Sequence, residues 1–366
     1  MTAIDADTPP TTSRPRARDE ITRRTRSFTE LAAAVREQGL NARTRWFYYS
    51  VFGVLLLALG GAFTGLVLLK DSWFTLLIAA ALGVIFTQFA FLGHEASHRQ
   101  VLNSGPANDR LGRVLASFFV GMSYTWWMTK HTRHHGNPNK VGKDPDLKSD
   151  FASFTTDDAA QSRGLRRWLT RRQGWLFFPL LTLLGFDLHS QSVRTLLGRG
   201  RVEGRATELA LLGTRFGLYL GLVFWLLPLG MAFAFVGVQV LVFGLYMGIT
   251  FSPNHIGMRI VPANLRLDFL DKQVLTSRNV SGGSFITALM GGLNYQIEHH
   301  LFPSIPRPHL VKARRLVLAH CREHGVPYTE TGLGEALAIV VRHMNDVGLT
   351  AARRFTCPTA GAMSRG

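Results

Sequence analysis

Two apolar runs near the start of the chain, residues 46–69 and 73–93, contain no charged residue and are separated by a very short polar link. About 20 apolar residues in a helix cross the roughly 30 Å hydrocarbon layer of a membrane, so each run predicts one transmembrane helix. Residues 206–252 are almost continuously apolar and long enough for two more. We therefore expect an all-α integral membrane protein with four transmembrane helices in two hairpins and a helical cytosolic cap. The expected spans are about 46–69, 73–93, 207–230 and 233–252.

The turn between the third and fourth spans has two candidate positions. Pro228 to Gly230 is the obvious break, but it leaves Arg215 inside the third span, where a charged side chain is costly. A turn at Phe235 to Gly237 brings Arg215 to the membrane interface and shortens the fourth span. The sequence leaves both positions open.

The excess of basic residues indicates the orientation. The sequence has 41 Lys and Arg against 24 Asp and Glu, a net charge of +17. In a membrane protein this excess is typical of cytosolic loops, so we expect contact with membrane lipid and no nucleic-acid partner. The Arg-rich tail before the first span predicts a protein of the plasma (cytoplasmic) membrane with both termini in the cytosol.

The chain divides into three parts by composition. Residues 1–26 are polar and basic, which is typical of a disordered tail. Residues 27–330 form the main domain, and residues 331–366 form a C-terminal cytosolic helix and tail. Cys321 and Cys357 make no CxxC pair, so we expect neither a disulfide framework nor a sulfur-ligated metal.

Further helices are expected outside the spans. Ser27 and Glu30 have the S-x-x-E spacing of a capping box, which predicts a helix from Ser27 to Gln38. Apolar residues at helical spacing, with Trp126 and Trp127 suited to an interface, predict a helix on the membrane surface. The expected surface helices are 111–128 and 175–186, and the expected cytosolic helices are 309–323 and 334–346.

Histidines are concentrated at the ends of the expected spans. Of the 13 histidines, eight fall in four places that the number of spans brings to one membrane face. In HEASH two histidines stand at positions i and i+4, and in HTRHH three stand at i, i+3 and i+4, so each set shares one helix face. The eight are His94, His98, His131, His134, His135, His255, His299 and His300.

Eight imidazoles are too many for one tetrahedral zinc ion, which takes four ligands. Histidine-rich sites with open positions also suit iron, so two metal ions are the natural number. Nearby carboxylates are needed to orient the rings. The candidates are Asp144 and Asp146, just after the second cluster, and Glu298 in the third.

Two other interpretations compete for the same residues. HEASH matches HExxH, in which the two histidines hold zinc and Glu95 is the general base of an intramembrane protease. That interpretation leaves the other clustered histidines unused. A non-catalytic metal carrier is the second alternative, but its ligands should lie along a path at membrane depth rather than at cytosolic span ends.

The motifs HEASH, HTRHH and QIEHH, with GNPNKVGKDPD and NYQIEHHLFPSIPR, resemble the membrane fatty-acid desaturase family. The resemblance runs from about Phe47 to Tyr328 and is greatest to bacterial acyl-CoA or acyl-lipid desaturases of the linoleoyl-CoA type. Gln296 stands where many relatives have the first histidine of the third box, and this variant resembles the front-end subgroup. The HPGG motif of the haem domain often fused in that subgroup does not occur here.

The resemblance implies a function and a ligand set. It implies an O2-dependent enzyme that introduces a cis double bond into an acyl chain at a centre of two iron ions. The boxed histidines would bind the irons, and by position His255 would be a further ligand. Gln296 and Asn254 are candidates for supporting contacts. Hydroxylation or ketolation by a related diiron enzyme remains an alternative.

The resemblance also implies partners. The substrate would be a fatty-acyl group carried by CoA or by a lipid, with O2 as co-substrate. Electrons would come from an external NAD(P)H-dependent chain, through a separate ferredoxin-type or cytochrome-type protein and its reductase. Basic side chains around the second box could attract an acidic carrier, CoA phosphates or anionic headgroups. These are Lys130, Arg133, Lys140, Lys143, Arg166, Arg167, Arg171 and Arg172. Candidates for lining an acyl tunnel are Tyr124, Trp126, Trp127 and Phe251.

Overall fold

The computed structural model describes residues 17–352 except residues 71 and 150. Within that range the chain is mostly helical, with one short parallel pair of strands. The helices are α1 (Ala17–Glu37), α2 (Arg45–Leu68), α3 (Thr75–Ser97), α4 (Gly105–Val114), α5 (Tyr124–Gly136), α6 (Thr156–Gln161), α7 (Gly164–Thr170), α8 (Gln173–Leu181), α9 (Leu184–Leu197), α10 (Arg205–Leu226), α11 (Leu229–His255), α12 (Phe269–Leu275), α13 (Gly283–Leu289), α14 (Gln296–Leu301), α15 (Leu310–Glu323) and α16 (Leu333–Ala352). The strands are β1 (Asn279–Ser281) and β2 (Glu330–Gly332). A π-helical turn covers Leu115–Val120, and short 3-10 turns cover Pro145–Leu147 and Arg307–His309.

Four of these helices, α2, α3, α10 and α11, are long and apolar enough to cross a membrane. They agree with the four expected spans. Two of them extend beyond the expected limits, because α3 continues to Ser97 and α11 continues to His255. Each therefore carries histidine in its last turn.

Helix α3 lies at the centre of the apolar core. It packs against α2 on one side and α11 on the other. The contact with α11 is close at Gly83, where an added Cβ would lie 2.8 Å from the carbonyl oxygen of Gln239. Phe86 of α3 and Phe235 of α11 are both buried in this core. A small residue at the crossing thus lets two large apolar faces meet.

The turn between α10 and α11 lies at Leu227 and Pro228, so the alternative position at Phe235 to Gly237 is wrong. Arg215 is consequently inside α10. Its Nε donates to the carbonyl oxygen of Phe119 at 3.2 Å, and its guanidinium lies 4.3 Å from the ring centroid of Phe86. These contacts replace water around the charge and explain how the position is tolerated.

The N-terminal helix differs from the prediction. Helix α1 begins at Ala17, so the tail expected to be disordered through residue 26 is helical from that point, and residues 1–16 lie outside the described part. Ser27 is inside the helix and caps nothing. Its Oγ lies 2.6 Å from Nε2 of His320, which joins α1 to α15.

The helix expected at 111–128 is broken. The π-helical turn ends at Gly121, whose φ of 91° is left-handed, and α5 starts afresh with Ser123 as its N-cap. Arg215 and His189 bond the carbonyl oxygens of Phe119 and Gly121, which the break leaves without helical partners. The segment expected at 175–186 is likewise two helices, α8 and α9.

The C-terminal helices agree with the predictions at 309–323 and 334–346, although α16 is longer. The boundary expected at residue 330 falls inside β2, which pairs with β1. Helix α16 also shares a buried apolar cluster with α8, through Met344 and Phe177. Cys321 is buried, and Cys357 lies outside the described residues.

Candidate metal centre

All eight predicted histidines meet in one place. Two come from the end of α3, three from α5, one from the end of α11 and two from α14. They form two adjacent groups in which the candidate ligand atoms lie within 4.8 Å of one another. The five-histidine group is His94, His98, His131, His135 and His299, and the three-histidine group is His134, His255 and His300.

Ring nitrogens face one another inside each group. In the five-histidine group, Nε2 of His98 lies 2.7 Å from Nε2 of His131, and Nε2 of His135 lies 3.1 Å from Nε2 of His299. In the other group, Nε2 of His134 lies 3.3 Å from Nε2 of His255. The rings of His135 and His300 stack at 4.3 Å, so the two groups adjoin.

The three-histidine group is anchored from behind. Nδ1 of His134 lies 3.1 Å from both carboxylate oxygens of Asp144. Nδ1 of His255 donates to the carbonyl oxygen of Thr276 at 2.9 Å. Nδ1 of His300 lies 3.0 Å from Oε1 of Gln273. Because these groups accept a hydrogen bond from Nδ1–H, they favour the neutral tautomer that keeps its lone pair on Nε2, and Nε2 points inward. That is the arrangement of a metal-binding histidine held by a second hydrogen bond.

Two buried nitrogens are left without partners. Nε2 of His94 and Nε2 of His300 make no hydrogen bond among the described residues. A buried polar atom without a partner is unfavourable by about 1–3 kcal/mol, and a metal ion in each histidine group would satisfy one of the two nitrogens. Neutral nitrogen donors that converge in this way fit a metal site, and iron is suited to them.

The rings are held in the neutral form that binds metal. Burial lowers the pKa of His98 to about 3 and lowers the pKa of His131, His135 and His299 well below the ordinary value. His134 is different. Burial lowers its pKa, but Asp146 and Asp144 raise it by more.

The three candidate carboxylates have different roles. Asp144 is buried and also accepts from the backbone N–H groups of Asn139 and Asp146, at 2.7 and 2.9 Å. Asp146 lies 3.2 Å from Nδ1 of His134 and pairs with Lys130 at 2.9 Å. Both carboxylates therefore lie against Nδ1 of His134.

Glu298 is directed away from the histidines. Its carboxylate accepts from Nδ2 of Asn279 at 2.7 Å and from the hydroxyl of Tyr328 at 2.8 Å. Burial raises its pKa to about 7. The expectation that Glu298 orients an imidazole is therefore wrong. It ties α14 to β1 and to the segment before β2.

Gln296 and Asn254 lie beside the three-histidine group. Nε2 of Gln296 is 2.9 Å from Nε2 of His255. Asn254 donates to Oε1 of Gln296 at 3.2 Å and to the carbonyl oxygen of Thr250 at 3.1 Å. The carboxamide of Gln296 thus faces this group from the position where other histidine boxes have an imidazole.

Two further residues that fix the histidines were missed in the sequence. Gln273 is fully buried, and its Nε2 donates to the carbonyl oxygen of His135 at 3.0 Å while its Oε1 contacts His300. Arg278 is also buried, and its Nε donates to the carbonyl oxygen of Pro253 at 2.8 Å, at the end of α11. The signal for Gln273 was its position beside Leu270 and Val274 on the buried stripe of α12.

Two connected cavities lead to the histidines. The inner cavity, of about 250 Å³, is lined by an apolar wall and by histidines of both groups, namely His94, His131, His134, His255 and His299. The outer cavity, of about 930 Å³, shares Trp126 and Lys130 with it. Of the four tunnel candidates, Trp126, Trp127 and Phe251 line the inner cavity. Tyr124 does not line either cavity, and its hydroxyl donates to Asp109 at 3.1 Å.

Comparison with known proteins agrees with this geometry. The sequence profile described as "Fatty acid desaturase" matches residues 71–332. Delta(8)-fatty-acid desaturase 2 of Arabidopsis thaliana is 28% identical over 343 residues, which cover 89% of this chain and 75% of that protein. Acyl-lipid (9-3)-desaturase of Borago officinalis is 30% identical over 76% of this chain and 64% of that protein. Delta(6)-fatty-acid desaturase fat-3 of Caenorhabditis elegans is 29% identical over 82% of this chain and 70% of that protein.

These relatives are eukaryotic, so the expected likeness to bacterial enzymes of the linoleoyl-CoA type is not supported. The profile spans more than half of the chain and contains all eight clustered histidines. The chain belongs to the fatty acid desaturase family.

Proposed function

We propose that this chain is an O2-dependent fatty-acyl desaturase that introduces a cis double bond into an acyl chain at a diiron centre. The observation that carries the proposal is the convergence of eight imidazoles, three of which have Nδ1 held by a protein acceptor. The proposed iron ligands are His94, His98, His131, His134, His135, His255, His299 and His300.

The protein side of the chemistry is ligand position and protonation. Low pKa values keep the rings able to bind a cation at neutral pH. Asp144 holds the Nδ1 proton of His134, and Thr276 and Gln273 do the same for His255 and His300. When bound, the iron pair supplies the O2-dependent oxidising power that removes hydrogen from an unactivated methylene group.

The inner cavity gives the acyl chain a dry route to the histidines. Leu188, Met247 and Phe251 are on its apolar wall. Trp127 stacks on His131 at 4.4 Å between ring centroids, which covers one side of the five-histidine group. In the overall reaction a –CH2–CH2– unit, O2, two electrons and two protons give a –CH=CH– unit and two water molecules. Exclusion of bulk water protects this oxidation from side reactions.

A lipid-linked acyl chain is the favoured substrate. Relatives from Borago officinalis and Physcomitrium patens are named acyl-lipid desaturases. The outer cavity carries both signs of charge, because Asp158 and Asp187 line it along with Lys148 and Arg166. A strongly anionic CoA group would meet these acids, whereas a zwitterionic headgroup matches both signs. The two electrons would come from an external NAD(P)H-dependent carrier and reductase.

Four apolar helices and the family support membrane association. We propose that they cross the plasma membrane as two hairpins, with both termini, the cap and the histidines on the cytosolic side. The support is that the histidines of α3 and α11 stand at the C-terminal ends of these two helices, so the two ends that carry ligands must face the same side.

Expression in a host that lacks the activity, with lipid profiling and double-bond localisation, tests the proposal. We expect a new unsaturated acyl species and two iron ions per purified chain. A His134→Ala variant should lose the product. Two bound irons with no new unsaturated species would overturn desaturation in favour of another diiron oxidation, and absence of bound iron would overturn the site itself.

A further inference from the structure

Helix α12 is a thin cover over the candidate metal centre. It is seven residues long, and its buried residues are Leu270, Gln273 and Val274. Gln273 points inward and is bonded to both histidine groups, through Nδ1 of His300 and the carbonyl oxygen of His135. Lys272, the next residue, reaches the protein surface. The peptide unit between Lys272 and Gln273 and the side chain of Gln273 therefore separate this surface from His300 and His135, two candidate iron ligands.

The surface around α12 is basic. Nζ of Lys272 donates to the carbonyl oxygen of Gly136 at 2.7 Å, and Nζ of Lys140 donates to that of Leu265 at 2.9 Å. Lys143 is exposed. We call Lys140, Lys143 and Lys272 the lysine patch. Burial first, and then repulsion from Lys140 and Lys143, lowers the pKa of Lys272, although the nearby carboxylate of Asp268 raises it, so the three lysine charges are close enough to interact.

The lysine patch differs from the basic residues nearer the cavity. Lys130 is paired with Asp146, and Arg166 is paired with Asp158. Among the described residues, no salt bridge joins a carboxylate to a lysine of the patch. Their charges are thus available to a partner.

We propose that the lysine patch is the docking surface for a small acidic one-electron carrier protein, and that electrons enter the metal centre through α12. The proposal rests on the proposed function, which needs two external electrons per turnover. Each transfer oxidises one reduced carrier and reduces one iron ion, from Fe(III) to Fe(II). Charge complementarity speeds encounter between such partners at low salt. The short path through Gln273 joins the docking surface to the ring of His300 in one group and to the backbone of His135 in the other.

The experiment measures reduction of bound iron rather than desaturation. Iron-loaded protein in phosphatidylcholine proteoliposomes is mixed with a reduced plant-type [2Fe–2S] ferredoxin or with reduced cytochrome b5, both acidic, and iron reduction is followed by stopped flow. Dithionite serves as a reductant that needs no docking. The test variant is K140E/K143E/K272E. The control is R194E/R199E/R201E, which changes the net charge equally at exposed positions before α10.

We expect the test variant to lose about tenfold or more in the rate with at least one carrier at low ionic strength, with the dithionite rate and iron content unchanged. The control should stay within about twofold of the native protein. Salt should slow the native protein and have little effect on the test variant, because surface charges are screened over about 10 Å at 0.1 M.

Several results would overturn the proposal. One is an unchanged carrier rate in the test variant. Another is equal loss in test and control variants. The third is that dithionite reduces the iron of the native protein but neither carrier protein reduces it.

Lys140 and Lys272 also bond backbone carbonyls, so the triple variant could lose iron for a structural reason. In that case the single variant Lys143→Glu, at an exposed position, decides. A selective loss of carrier-driven reduction in this variant supports docking, and no loss contradicts it. If a rate change appears only when anionic lipid is added, the patch binds the membrane and the proposal fails. Protein that binds no iron would instead overturn the proposed function.

Discussion

Arg307 donates two hydrogen bonds to the carboxylate of Glu95, from Nε at 2.7 Å and from a terminal nitrogen at 2.6 Å. Both side chains are almost wholly buried. Glu95 is the glutamate of HEASH, and in a zinc protease it would have to hold a water molecule beside the metal. Here it is committed to Arg307, which follows the third histidine box. The pair joins the first box to the third and argues against the protease interpretation.

Loss of either partner should be strongly destabilising. We predict that Glu95→Gln and Arg307→Met each lower the unfolding free energy by about 3–5 kcal/mol, because each leaves a buried group without its charged partner. The double variant should lose less than the sum. Denaturation in detergent micelles measures this, with Glu335→Gln, in the exposed pair with Arg342, as a control that changes stability by less than about 1 kcal/mol. Additive losses would contradict the coupling.

Asp144→Asn should weaken iron binding by roughly 10–100-fold. In the native protein the two carboxylate oxygens of Asp144 accept from the backbone N–H groups of Asn139 and Asp146. The side-chain amide of the variant would keep one oxygen as an acceptor, but its NH2 group would face one of these N–H donors. Competition with an iron chelator measures the change. Glu298→Gln is the matched control. That buried carboxyl has a pKa of about 7 and bonds Asn279 and Tyr328, so iron affinity should change less than about threefold. Equal effects of the two changes would contradict these assignments.

Gly248→Ala should narrow the inner cavity. A Cβ there would lie 2.6 Å from the Leu181 side chain, and both residues line that cavity. We predict about a tenfold or larger loss of product, since a displacement near 1 Å is costly to catalysis, with unchanged iron content. Gly237→Ala is the control, because its added Cβ would meet no side chain and no other element of the described chain within 4 Å. Acyl profiles of whole cells report the result, and equal product from both variants would contradict it.

Arg215→Leu should destabilise the protein by about 1–3 kcal/mol, because the carbonyl oxygen of Phe119 loses its donor. Relief of a buried charge offsets part of this, but the contacts with the rings of Phe86 and Tyr219 are lost as well. Thermal denaturation measures the change. Arg194→Leu, at an exposed position, should stay within about 0.5 kcal/mol. A variant more stable than the native protein would contradict the role given to Arg215.

The histidine site could be predicted because its signals are local. Spacing of i and i+4 in HEASH and of i, i+3 and i+4 in HTRHH fixes a shared helix face before any tertiary structure is known. The four spans could also be predicted from the sequence, because the length of an apolar run is enough to identify a span. The position of the turn at Pro228 was harder to predict, because it depended on whether Arg215 has partners inside the third span. Those partners, Phe119 and Phe86, are remote from Arg215 in sequence.

The supporting residues could not be predicted because their roles depend on tertiary contacts. Gln273 lies far along the chain from His135, and nothing local pairs them. Glu298 stands next to two clustered histidines in sequence, yet its carboxylate bonds Asn279 and Tyr328. Ser27 has the spacing of a cap, but Ala17 already starts the helix. Adjacency in sequence was misleading in the last two cases.

The five-histidine group draws its members from position 94 to position 299. During synthesis the first two boxes can be inserted and folded while α14 is still unmade, and at that stage the group lacks His299. The group can therefore close only after the chain has passed the third box. Its assembly depends on α3 and α14 together, and a chain that ends before α14 lacks one of the five histidines.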